Sequence, residues 1–108
     1  MIYTQSEIAA LVQPVAEKYG LKAVFLFGSY ARSEATEQSD IDLIVDTSGT
    51  QIKGLFALGA LYCELEEALG KKIDLITVSA LEQRAQMPGE VRFRETVNRE
   101  RVKLYAAA

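Results

Sequence analysis

Histidine is missing from all 108 residues, so imidazole is excluded as a metal ligand and as a general base. Acid–base chemistry must fall to carboxylates, lysine, tyrosine or a thiol. Cysteine occurs once, at Cys63, so no disulfide framework can form within the chain. Positive charge is not in excess: 12 Lys and Arg stand against 15 Asp and Glu, a net charge of −3. The basic footprint of a nucleic-acid binder is therefore absent, and no direct nucleic-acid binding is expected. A nucleotide held through metal ions remains compatible with an acidic site. No apolar run approaches the ~18 residues of a membrane span. The first residues carry Glu7 and no basic residue, unlike a signal peptide. These absences together lead to the expectation of a cytoplasmic protein with no membrane contact.

What is present reads as one globular domain over residues 1–108, with 49% hydrophobic and 25% charged residues. Thr4 and Glu7 have capping-box spacing, and Ile8, Leu11, Val12, Val15 and Tyr19 recur at helical period before Gly20. A helix is expected from Gln5 to Tyr19, kinked or split at Pro14. Lys22 to Phe27 reads as a buried strand ended by Gly28, with a helical turn over Ser29 to Arg32 and an exposed loop over Ser33 to Ser39. Asp40 to Asp46 is a second strand, with Asp40, Asp42 and Ile44 on one face and Ile41, Leu43 and Val45 on the other. Asp46, at its far end, is expected to face solvent.

After a turn at Thr47 to Thr50, Ile52 to Leu69 forms the longest helical pattern, carried by Leu55, Leu58, Leu61, Tyr62, Leu65 and Leu69. Cys63, inside it, reads as a small core residue, and Tyr19 and Tyr62 read as packing residues. Ile73 to Val78 is a third strand. Ser79 is placed to cap a further helix, with Glu82 at N3, broken by Pro88-Gly89 and resumed over Glu90 to Arg99. Val102 to Tyr105 fits a last helical turn or a short edge strand, followed by a frayed alanine tail. Arg92, Arg94, Arg99, Arg101 and Lys103 are interleaved with Glu90, Glu95 and Glu100, which favours a solvated helix over a nucleic-acid surface. The order of elements implies an α/β (α+β) fold, a small mixed sheet covered by helices on one side.

Three features could carry chemistry. Gly28 at a strand end lets backbone approach a ligand, and the amide and hydroxyl of Ser29 at the start of a helical turn suit a phosphate. Asp40 and Asp42, two apart on a strand, project side by side in an otherwise apolar segment. Their mutual repulsion is relieved by a divalent cation, which takes oxygen ligands and joins carboxylates to phosphates. Asp74 interrupts a later strand in the same way, and adjacency of the two strands would bring three carboxylates together. In isolation each feature also has a plainer reading, as a turn, a cap or a solvated carboxylate. Their conjunction carries the weight.

From Leu26-Phe27-Gly28-Ser29-Tyr30-Ala31-Arg32 through Ser39-Asp40-Ile41-Asp42-Leu43-Ile44-Val45, the chain resembles the signature of minimal nucleotidyltransferases of the DNA polymerase β-like superfamily. The resemblance implies a polymerase-β-like fold in which Gly28 and Ser29 hold the triphosphate of ATP or another nucleoside triphosphate. It implies that Asp40 and Asp42 bind Mg²⁺ and that Asp74 completes the triad, with two ions expected. Arg32 sits where the family often has an arginine, either aiding phosphate binding or bracing the loop. Ser39 orients Asp40 or caps its turn. Relatives are commonly paired with a small helical HEPN ribonuclease toxin, for which they serve as antitoxin, some by transferring AMP to a toxin tyrosine. The resemblance therefore implies a protein adenylyltransferase antitoxin. The alternatives are a non-catalytic antitoxin that masks its partner, and a small-molecule nucleotidyltransferase completed by oligomerisation.

Overall fold

The computed structural model describes residues 2–87 and 89–107. The first helix, α1 (Gln5–Tyr19), has the boundaries expected from its caps. The Thr4 hydroxyl accepts from the Glu7 amide at 3.1 Å, and the Glu7 carboxylate accepts from the Thr4 amide at 2.8 Å. At the other end Gly20 adopts the left-handed conformation (φ 67°) and donates to the carbonyls of Ala16 and Glu17. Pro14 lies inside the helix and does not split it. Ala10, whose carbonyl the proline leaves without its usual donor, is exposed on the outer face with Pro14, so water can satisfy it.

Strand β1 (Ala23–Phe27) runs into the short helix α2 (Gly28–Ala31), and after a loop the chain returns as β2 (Ile41–Asp46). Helix α3 (Gly54–Leu69) crosses to β3 (Ile73–Thr77), which leads directly into α4 (Val78–Arg84). Helix α5 (Val91–Glu100) and strand β4 (Val102–Ala106) complete the fold. The four strands lie in the order β3-β2-β1-β4. β1 is antiparallel to both β2 and β4, and β2 is parallel to β3.

Several expectations are corrected here. Thr77, not Ser79, caps α4: the chain is still extended at Thr77, and its hydroxyl accepts from the Ala80 amide at 3.0 Å. Of the two readings of the segment after Arg101, the edge strand holds: it pairs antiparallel with β1. Its alanine end is tied down through Ala106, paired with Ala23, and the Ala107 amide, bonded to the Lys22 carbonyl. Pro88 and Ala108 lie outside the described residues. Asp46 is half-buried and caps the next turn by accepting from the Ser48 amide at 3.0 Å. Cys63 is exposed, because α3 turns Leu61, Leu65 and Leu69 inward and a residue two positions from Leu61 falls on the other side of the helix.

The main core lies between one face of the sheet and the layer of α1 and α3. Ile8, Val12 and Ala16 meet Leu61, Leu65 and Leu69 over Val24, Leu26, Ile41, Leu43 and Val45. The other face is covered as well, although one-sided cover was expected: Leu81 of α4 and Val97 of α5 pack with Ile44, Phe25, Phe27 and Ile76. No described helix is long and apolar enough to cross a membrane.

Candidate active site

Strand alternation sends Ile41, Leu43 and Val45 into the main core, all fully buried. Asp42 and Ile44 therefore point to the opposite face. In the parallel ladder Asp42 is the register partner of Asp74, as Ile44 is of Ile76. The two carboxylates thus stand on the same face of adjacent strands, about 4.8 Å apart in backbone spacing. On the other side Asp42 is paired with Phe27, the last residue of β1, so the turn at Gly28 lies against it.

Gly28 has φ 74°, and a Cβ built there would lie 2.1 Å from Oδ2 of Asp42. No side chain fits in that gap. The glycine is required by conformation and by space together, and the carboxylate fills the room it leaves. Asp42 is half-buried, and its carboxyl is pushed up to about 6. Burial is the first cause, followed by the charges of Asp74 and Asp40, with Arg32 acting in the opposite sense. Asp40, immediately before β2, and Asp74 are exposed.

Of the other expected residues, Arg32 is near enough for its charge to act on Asp42. Ser29 is half-buried in α2, and its carbonyl accepts from the Glu34 amide at 2.8 Å. Ser39 caps its own turn: its hydroxyl accepts from the Thr36 amide at 2.9 Å. The Arg32 guanidinium is gripped by Glu34 at 2.8 Å and by Glu100, the last residue of α5, at 3.3 Å. Glu34 and Glu100 had no signal in the sequence, and Glu100 lies 68 positions away from the arginine that it holds. Lys71 donates to the Glu37 carbonyl, tying the loop before Asp40 to the approach of β3. The basic stretch is partly neutralised, with Arg94 on Glu82, while Arg101 lies 4.2 Å from the Phe25 ring.

The donor set suits a hard cation. Among the described residues no three or more His, Cys, Asp and Glu are grouped closely enough to hold an ion by themselves. The structure instead presents a carboxylate, Asp42, raised first by burial and then by the charges of Asp74 and Asp40, a conflict that a divalent ion shared with phosphate oxygens would relieve. The site is also open. A shallow concavity of about 640 Å³ lined by Cys63, Glu66, Glu67, Gly70, Lys71 and Lys72, at the end of α3, includes none of the carboxylates just described.

A family model described as nucleotidyltransferase domain matches residues 8–104, nearly the whole chain. The chain belongs to the nucleotidyltransferase domain family. It is a nucleotidyltransferase of the minimal, polymerase-β-like kind. Among its relatives, MJ0435 of Methanocaldococcus jannaschii, provisionally named a protein adenylyltransferase, is 42% identical over 76 residues, covering 70% of this chain and 80% of that protein. The protein adenylyltransferase MntA of Thermococcus cleftensis is 36% identical over 77 residues, 71% of this chain and 76% of its own length. A solved chain from the tri-AMPylated HEPN toxin of Shewanella oneidensis in complex with its MNT antitoxin superposes with TM-score 0.64 at 19% identity, covering 96% of the nucleotidyltransferase and 74% of that chain. At that identity the likeness speaks for the fold alone.

Proposed function

We propose that this nucleotidyltransferase moves AMP from ATP onto a hydroxyl, a tyrosine of a small helical HEPN ribonuclease toxin in the same cytosol, and so acts as its antitoxin. The reading rests on one observation above all: Asp42, in register with Asp74, occupies the space that Gly28 leaves open. The names of the adenylyltransferase relatives support the donor, and the HEPN–MNT complex supports the partner. The openness of the site supports an acceptor supplied by another protein.

In this reading the backbone at Gly28 and the amide and hydroxyl of Ser29 hold the triphosphate, with Arg32 supplying positive charge from its carboxylate brace. Asp40, Asp42 and Asp74 would hold two Mg²⁺ ions, which when bound neutralise the triphosphate and lower the pKa of the acceptor hydroxyl. Asp74 takes the acceptor proton. The acceptor oxygen forms a bond to the α-phosphorus, the bond to the β-phosphate oxygen breaks, and pyrophosphate leaves. Most of the acceleration comes from positioning and fixed charge.

Mass spectrometry of a co-expressed HEPN partner tests this, with a gain of one or more AMP units on tyrosine as the expected result. Asp42→Asn, similar in shape but without the charge, should abolish that gain. An unmodified partner that is still neutralised would identify a masking antitoxin instead. Transfer to a metabolite with no partner present would identify a small-molecule enzyme.

A further inference from the structure

Helix α3 carries a second seam that its own domain does not use. Leu58, Leu61, Leu65 and Leu69 face the core. On the outer side Phe56, Ala60 and Cys63 recur at the alternating spacing of a coiled-coil seam, with Lys53 at the N-cap before them and Glu67 after them. All five are exposed. Phe56 is 98% exposed, and Leu55 beside it 86%. No charged residue occurs between Lys53 and Glu64. This stretch is apolar all round, which is the pattern of a helix covered on both sides.

The charges select what covers it. Lys53 and Glu67 stand at opposite ends of the seam, and among the described residues neither forms an ion pair within its own chain. A second copy laid antiparallel about Ala60 brings each Lys53 to Glu67 of the second copy. The same axis sets Phe56 against Cys63 of the second copy, a favourable ring–sulfur contact. Gly59 and Ala60 at the centre let the helix axes approach closely. A parallel arrangement would oppose like charges at both ends. We therefore propose that α3 pairs with α3 of a second copy of this chain in an antiparallel, two-fold homodimer. Because α3 packs on the sheet face away from Asp42, both acidic sites stay open. One helix pair buries less than a standard interface, below about 1,200 Å² in total, so the dimer forms reversibly with concentration.

Sedimentation equilibrium of the full chain from about 1 µM to about 1 mM tests the pairing. The mass should rise from 11.9 kDa towards twice that value. Phe56→Glu should weaken association at least ~100-fold, and its fold should survive because the ring is in solvent. Lys53→Glu should weaken it by about tenfold, and the double exchange Lys53→Glu/Glu67→Lys should return it to within about threefold of the parent. With a mild added oxidant, Phe56→Cys should yield a disulfide-linked dimer through Cys63, and Phe56→Cys/Cys63→Ser should not. A parent that stays monomeric throughout, or a double exchange that fails to restore association, overturns the proposal. A monomeric parent whose binding to a different protein is lost in Phe56→Glu would assign the seam to that protein instead.

Discussion

The two faces of β2 are built to opposite specifications from alternate residues of one strand. Ile41, Leu43 and Val45 are fully buried against α1 and α3, while Asp42 on the other face is half-buried, and that burial, followed by the charges of Asp74 and Asp40, raises its carboxyl to about 6. Ile41, Leu43 and Val45 lower the free energy of the fold, as Ile44 does on the other face; Asp42 raises it and keeps a charged group where a nucleotide and its metal would sit. Stability and function are separated by a period of two residues, and substitutions on the two faces should separate in the same way.

The largest expected effect on the buried face is Leu43→Ala, which leaves a cavity beneath the sheet and should cost about 2–5 kcal/mol in denaturant unfolding. Transfer per folded molecule should barely change. On the other face Gly28→Ala forces a methyl group into Oδ2 of Asp42. Loss of that positioning should reduce transfer by about 10²–10³-fold, comparable to the loss of a preorganised charge-stabilising group. A Gly28→Ala enzyme with undiminished turnover would break the comparison.

Asp42→Asn should remove activity and stabilise the fold. A carboxyl raised from 3.8 to about 6 binds its proton more tightly folded than unfolded. Wild-type stability therefore falls as pH rises through that window, and the deficit is complete above it. The full shift is worth at most about 3 kcal/mol, and partial solvent access should leave ~1–2 kcal/mol. At pH 7 the variant should melt several degrees higher, and below about pH 4 the difference should vanish. A thermal melt series across that range decides it.

The smallest expected effect is Glu100→Gln, which loosens one of the two carboxylates on Arg32. Both partners are partly exposed, so stability should change by less than about 1 kcal/mol. Under the proposed role of Arg32, KM for ATP should rise several-fold with kcat little changed.

Much of this was legible before any coordinates, for local reasons. The capping box of Thr4 and Glu7 and the stop at Gly20 bound α1 correctly because caps act within one turn. The outward face of Asp42 follows from strand period alone. Legibility failed where partners lie far apart in the chain. Helical period shows that α3 is amphipathic, but Leu55 matches the apolar pattern and is nonetheless 86% exposed. Cys63 has apolar neighbours in sequence, but in space it lies on the side of α3 turned away from the core. The cap of α4 moved from Ser79 to Thr77 because β3 runs straight into that helix, so the last extended residue becomes the cap.

By itself the sequence determined the elements, their faces and the residue types that the chemistry needs, because periodicity and capping are properties of neighbours in the chain. Tertiary structure alone decided that Asp74 lies in register with Asp42, that Gly28 yields its side-chain space to Oδ2, and that Glu100 reaches back to Arg32. Those contacts join segments separated by whole elements, and only strand pairing and the packing of α5 beside α2 bring them together.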